Sequence, residues 1–309
     1  SILAMHRGEA SIFFAMGGNF LQATPDTNFT AEALRNCTLT VHVSTKLNRS
    51  HVVTGRCALI LPCLGRSEED HNERGEGQFS TVENSMGIVH QSRGSLKPVS
   101  DNLLSETMIV ARLAEATLGK RESLDFVHVA GDNDRIRDLI ARTLPGFENF
   151  NERVRHPGGF YLTNDARERV FKTDTGKANF SDAPLTGVDL VAGELLLMTI
   201  RSHDQFNTTI YGLHDRYRGI SNERRILFMN PEDMAERGIR PLAPVDIEND
   251  SDGRLRRVER FLAVPYDLPR TAVAGYFPEL NPLVPIGLTA AISNTPCSKS
   301  IPVRVTGRG

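Results

Sequence analysis

The chain of 309 residues sets 36 Lys and Arg against 38 Asp and Glu, a formal net charge of −2, so no bulk electrostatic bias draws it to nucleic acid or to an anionic membrane. With 39% hydrophobic and 24% charged residues it is neither disordered nor fibrous in composition, and its length suits two domains better than one. Cys37, Cys57, Cys63 and Cys297 include no pair at C-x2-C spacing, so no iron–sulfur or structural zinc site, and no metal ligand, is expected within this chain. So few thiols also argue against a disulfide framework and for a reducing, cytoplasmic setting. No apolar run nears the ~20 residues that cross a bilayer, and no membrane span is expected.

The opening residues, Ser1 to Gly8, read as the tail of an amphipathic helix, and the chain is expected to be part of a longer protein. The run Ala10 to Met16 is short and apolar and is followed at once by Gly17-Gly18-Asn19, the pattern of a buried parallel strand that ends in a backbone-accessible loop. Capping residues at Thr24 to Thr27 precede a helical stretch through Leu34, and Leu39 to Val43 alternates as a β-branched strand, completing a βαβ unit. A third strand, Cys57 to Leu61, stops at Pro62, and the charged run Arg66 to Glu76 reads as an exposed loop. Ser105 caps a helix through Leu118, with Met108, Ala111, Leu113 and Ala114 inward and Gly119 as its stop. Asp132 or Asn133 opens another that carries Ile136, Leu139, Ile140 and Leu144 at helical spacing.

From residue 151 to 184 the sequence is polar and irregular and reads as a linker or wrapping segment. Beyond it the pattern changes to short strands, at 194–200, 226–229, 245–248, 256–264 and 301–305. One short helix, 231–237, has Pro at its first position and Gly238 after it. The predicted organisation is therefore an α/β Rossmann-like segment over 1–150 and a mainly β domain over 185–309.

Three clusters exceed what folding requires. Gly18 and Asn19, with Ser44 and Thr45 just past the next strand and Lys46 beside them, lie where open α/β sheets bind nucleotides; an ordinary pair of β–α turns fits the same spacing. Gln78 to Gly94 can line a polar pocket, but a hairpin with Met86-Gly87 at its turn explains it as well or better. Arg201 to Tyr211 is too rich in donors and acceptors for a plain solvated loop, and it reads as a binding loop at the end of the first strand of the β domain. His203 next to Asp204 invites a catalytic dyad, yet no serine elbow accompanies it, which disfavours a hydrolase.

At these clusters the chain resembles the molybdopterin-guanine-dinucleotide oxidoreductases of the dimethyl sulfoxide reductase superfamily, most closely the formate-dehydrogenase-like branch. The residues that carry the resemblance are Gly17-Gly18-Asn19, Leu61-Pro62, Glu83 to Val89 (with Ile88 where Arg is common), Phe171 to Phe180, Arg201 to Thr208, Asn230 to Asp233, Phe277 to Asn281 and Thr295 to Pro302, in family order along nearly the whole chain. The resemblance implies that residues 185–309 form a double-psi β-barrel and that the chain helps cradle a molybdenum or tungsten bis-molybdopterin-guanine-dinucleotide cofactor.

It further implies that Gly18, Asn19, Ser44 and Thr45 contact one guanine dinucleotide. Arg201, His203, Gln205, Asn207 and Thr208 then grip pterin or pyrophosphate groups, with Asn281 and Lys299 as further candidates on returning loops. The implied partners are N-terminal domains of the same protein, the only place for a 4Fe-4S cluster, and an electron-transfer partner. Neither a catalytic residue nor a metal ligand is assigned, and Cys63 is not nominated. The competing reading is a non-catalytic double-psi barrel that serves as an interaction module.

Overall fold

The computed structural model describes residues 1–121, 123–184 and 187–308. Helix α1 (Ile2–His6) leads into β1 (Ile12–Met16), the glycine turn, helices α2 (Phe20–Ala23) and α3 (Thr27–Asn36), then β2 (Leu39–Ser44) and β3 (Cys57–Pro62). The strands form a sheet in the order β1-β2-β3, which leaves the β-branched β2 in the middle and buried. Ala31, Ala33 and Leu34 of α3 form a small core with Met5, Leu21 and Cys37. β1 is not the buried strand expected. It exposes Ile12 (62%), Phe14 (38%) and Met16 (37%), and β3 likewise exposes Leu59 and Ile60. Both faces of β1 are apolar, so its sequence lacks the alternation that marks a half-covered strand.

Next come β4 (Ser80–Glu83), β5 (Ile88–Ser92), α4 (Glu106–Leu118), α5 (Phe126–Ala130), α6 (Asn133–Thr143), α7 (Phe150–Arg153) and β6 (Phe160–Tyr161). β4 and β5 pair antiparallel around a turn with Gly87 at φ 74, where the Asn84 carboxamide accepts from the Met86 and Ile88 amides, so the hairpin reading of this segment holds. α4 has the expected bounds, with Ser105 Oγ accepting from Met108 N at 3.3 Å and Gly119 at its end, but Leu113 faces out and Ala111 is its buried residue. In α6 the inward face centres on Arg137, whose guanidinium lies 4.1 Å over the Phe79 ring; Leu144, expected inside, is exposed. An aliphatic periodicity count cannot anticipate an arginine that replaces apolar contact by cation–π and hydrogen-bonded contact. Phe150 and Val154 pack with Phe79, Val89 and Phe160, so folded structure continues to residue 162 and the exposed run begins later than the expected linker.

The remaining strands are β7 (Leu195–Ile200), β8 (Ile226–Met229), β9 (Pro244–Asn249), β10 (Arg256–Pro265), β11 (Ala272–Tyr276) and β12 (Ile301–Gly307), with α8 (Pro231–Glu236) after β8. They close into a barrel in the order β10-β8-β11-β7-β12-β9. β10 with β8 and β11 with β7 are parallel, and the other pairings are antiparallel. Leu195, Leu197, Leu227, Met229, Val245, Ile247 and Ala263 fill the interior at 0% exposure. β11, Ala-Val-Ala-Gly-Tyr, escaped the sequence reading because it has few bulky residues. Its Gly275 is obligatory, since an added Cβ would sit 2.5 Å from the Ile226 carbonyl and collide with Leu280.

Compactness divides the chain differently from the sequence boundaries. One unit comprises residues 1–42, 47–60 and the barrel; the other comprises 43–46 and 61–184. Within the first, buried Asp26 at the start of α3 receives Arg256 Nε at 2.9 Å, and its own amide donates to the Asn281 carbonyl at 2.9 Å.

Candidate functional site

Because β7 and β11 run parallel with Ile200 opposite Tyr276, the loops that follow them leave the same rim of the barrel. The first, residues 201–224, is ordered from within. Asp215, 1% exposed, receives Tyr276 Oη at 2.8 Å and Arg218 Nη1 at 2.6 Å, and its other oxygen lies 3.1 Å from His203 Nδ1. Burial alone would raise this carboxyl, but those three hydrogen bonds outweigh it and hold the pKa below the usual carboxylate range. Arg218 also donates to the Arg201 carbonyl, and the His203 ring packs 4.3 Å from Tyr217.

A second hub is Arg224, buried under Tyr211 and Tyr276. It donates to both Glu279 oxygens, to the Phe277 carbonyl and to Gln205 Oε1. Gln205 in turn donates to the carbonyls of Asn207 and Phe277. Sequence reasoning missed Asp215, Arg218, Arg224 and Tyr276, whose signal was only a polar residue near an aromatic.

The expected site residues therefore fall into two groups. Gln205 (7% exposed) is fully engaged in holding the loop, and it is an organiser rather than an open ligand donor. Asn281 is buried and donates to the Gln22 carbonyl at 2.7 Å, Asn19 is buried between Gln22 and Ser50, and Thr208 is buried as well. Polar composition marked these residues, but it cannot separate a side chain that builds a loop from one the loop presents.

Arg201 and His203 are outward-facing. Arg201 donates to Asn207 Oδ1 at 2.6 Å, and Asn207 sits in the left-handed region at φ 48. Lys299 donates to the Thr199 carbonyl, and burial followed by the nearby Arg201 charge lowers its pKa. Among the described residues neither Arg201 nor Lys299 has a carboxylate within ion-pair distance, and the Arg201 charge disfavours the Lys299 charge.

At the glycine turn, Gly17 and Gly18 have φ of 67 and 70, and the space a Gly18 Cβ would occupy is open. Asn48 Nδ2 donates to the Gly18 carbonyl at 2.8 Å. Ser44 is buried at the end of β2 and Thr45 is exposed; both belong to the second compact unit. In that unit a polar cavity of about 230 Å³ is lined in part by Gln78, Ser80 and Ser92 of the hairpin segment, together with Asp70, whose carboxyl burial pushes up against the pull of its hydrogen bond from Gln78.

The closed barrel carries Arg201 and Lys299 on one rim, and residues 195–301 match the family described as molydopterin dinucleotide binding domain. An uncharacterized oxidoreductase of Mycobacterium tuberculosis is 51% identical over 311 residues, which cover 99% of this chain and 40% of that protein. Protein YdeP of Escherichia coli is 41% identical over 316 residues, covering 99% and 41%. The chain thus spans about 40% of the length of the curated relatives it matches. Acetylene hydratase from Pelobacter acetylenicus shares the fold at a TM-score of 0.62 with 12% identity, over 99% of this chain and 46% of that one. No helix among the described residues is long and apolar enough to cross a membrane.

Proposed function

We propose that this chain is the cofactor-cradling part of a longer molybdenum- or tungsten-dependent oxidoreductase that carries a bis-molybdopterin-guanine-dinucleotide cofactor and acts, in the manner of formate dehydrogenases, by two-electron oxidation of a small substrate. The observation that carries this reading is the Arg201 and Lys299 pair: two cations without a carboxylate partner among the described residues, on the rim of a barrel that matches a molydopterin-binding family, fit the pyrophosphate of such a dinucleotide. When bound, the cofactor supplies the redox chemistry at its metal.

The chain's own residues bind and orient. Arg201 and Lys299 neutralise the anion, and His203 hydrogen-bonds it. Asp215, Arg218, Arg224 and Gln205 keep that rim ordered before the ligand arrives, which lowers the entropic cost of binding. The open glycine turn at Gly17 to Asn19 offers backbone amides to a second dinucleotide. The order β1-β2-β3, with helices α2 and α3 between β1 and β2, supports a Rossmann-like segment, and the two parallel pairings in a six-stranded barrel support the double-psi form.

The exposed apolar face of β1 and β3 supports the view that the rest of a longer, cytoplasmic protein covers this sheet, carries any iron–sulfur cluster and meets the electron-transfer partner, and that the fragment alone turns nothing over. The test is the double variant Arg201→Ala with Lys299→Met in the full-length parent. Losing two charge-assisted contacts is expected to cut pterin and metal occupancy about 10-fold or more while leaving the melting temperature of the barrel in place. Full occupancy in the double variant overturns the assignment.

A further inference from the structure

Residues 277–281, Phe-Pro-Glu-Leu-Asn, leave the end of β11 and touch both the loop after β7 and the helix that follows the glycine turn, all within the first compact unit. At the rim end the Phe277 amide donates to the Ile200 carbonyl at 3.1 Å, and the Phe277 carbonyl accepts from Gln205 Nε2 at 2.9 Å and from Arg224 Nη2 at 2.8 Å. At the other end Asn281 Nδ2 donates to the Gln22 carbonyl of α2 at 2.7 Å, and the Asn281 carbonyl accepts from the Asp26 amide at 2.9 Å. Between them Glu279 takes Arg224 with both carboxylate oxygens, and Leu280 packs in the barrel core.

Helix α2 needs that outside bond. It is a single turn of four residues, too short to be stable alone, and its last carbonyls have no partner within the helix. Asn281 supplies the donor for one of them from a segment anchored in the barrel. The contact runs on to the glycine turn, because Gln22 Oε1 accepts from Asn19 Nδ2 and the Asn19 carbonyl accepts from the Ala23 amide at 2.9 Å. Asn48 and Ser50 hold the same turn, at the Gly18 carbonyl and at Asn19 Oδ1, but they come from the loop after β2 rather than from the barrel.

We infer that residues 277–281 are the spacer between the Arg201 and Lys299 rim and the Gly17 to Asn19 turn, with Gln205 and Asn281 as the positioning residues at its two ends. Both side chains are buried, Asn281 at 6% exposure, so neither is presented to a ligand. Each directs its carboxamide to a backbone carbonyl, which fixes where the chain runs. With Leu280 held in the core so short a segment has no slack, and the two surfaces are set at one separation. A ligand that meets both at once gains from the second contact only when that separation suits it. One that meets the rim alone is indifferent to it.

That such a ligand is a dinucleotide cofactor rests on the reading proposed above; the spacer itself is a property of this chain and is measured without cofactor. In the purified chain, Asn281→Ala should speed amide hydrogen exchange at Ala23 and Asp26 about 10-fold or more, with the amides between β9 and β12 within about 2-fold of wild type. Asn281→Asp keeps the shape and loses the donor, so it should act at least as strongly as the Ala variant, whereas a merely space-filling role would leave it like wild type. Calorimetric titration with inorganic pyrophosphate should give both variants the wild-type Kd within about 2-fold, while in the full-length parent the same variants cut pterin occupancy about 10-fold or more. Unchanged exchange at Ala23 and Asp26, full occupancy in the parent variants, or pyrophosphate binding that weakens together with occupancy overturns the positioning role. Should neither variant fold, the wild type decides: Asn281 carboxamide protons that exchange as fast as those of a free amide overturn it too. Wild-type chain that binds no pyrophosphate removes the cofactor reading and leaves the exchange measurements to decide the spacer.

Discussion

The barrel and the β1-β2-β3 sheet are both built around apolar side chains, yet one buries most of them in its interior and the other displays those of its outer pair of strands. In the barrel each strand has two hydrogen-bonded neighbours and the interior residues reach 0% exposure; in the sheet β1 and β3 are edges, with Ile12, Phe14, Met16, Leu59 and Ile60 turned outward. Closure removes edges, whereas an open sheet leaves them for another surface to cover. The two therefore differ in where a mutation is felt: within the barrel as lost stability, on the sheet as altered association.

The largest expected effect is at the buried contact that joins these regions in one unit. Arg256→Met leaves Asp26, 1% exposed, without its cation and should cost about 3–5 kcal/mol in denaturant unfolding. A cost under about 1 kcal/mol would mean that the sheet and barrel hold together without it. Leu197→Ala, inside the barrel, should lose about 2–5 kcal/mol. Gly275→Val should cost about 1–3 kcal/mol or more, because its side chain meets the Ile226 carbonyl, and an unaffected midpoint would show a looser barrel than described.

Asp215→Asn is smaller and depends on pH. The Asp215 pKa is depressed in the folded state, so its contribution is present above about 3.9 and fades as pH falls through the folded value; the variant should flatten that acid limb by about 1–3 kcal/mol. On the sheet, Leu59→Ser should change unfolding by no more than about 0.5 kcal/mol while reducing self-association in sedimentation velocity. A large stability loss there would erase the contrast between the two regions.

Much of this architecture can be read from residue patterns. The helix bounds at Ser105 and Gly119, the hairpin around Met86-Gly87 and most barrel strands announce themselves through capping, turn chemistry and β-branched runs. β11 does not, because its Gly and Ala residues are chosen for the close approach of Leu280 and the Ile226 backbone, a non-local demand. The exposure of β1 depends on what lies beside it in space. Among the candidate ligands, sequence marks the loop as polar but does not separate the side chains that build it from those it presents. Gln205 and Asn281 look as available as Arg201 until Arg224, Phe277 and Gln22 are seen to occupy them.

The parallel pairing of β7 with β11 also has a bearing on biosynthesis. β7 hydrogen-bonds to strands that begin at residues 272 and 301, far along the chain, so its partners are still missing when it leaves the ribosome. Long-range pairings of this kind form slowly because loop closure comes before any reward. Lys299 is synthesised nearly a hundred residues after Arg201, and the two cations meet only when β12 docks. On the anion-binding reading proposed above, a half-made barrel traps no anion, and the order of translation itself delays capture until the rim is whole.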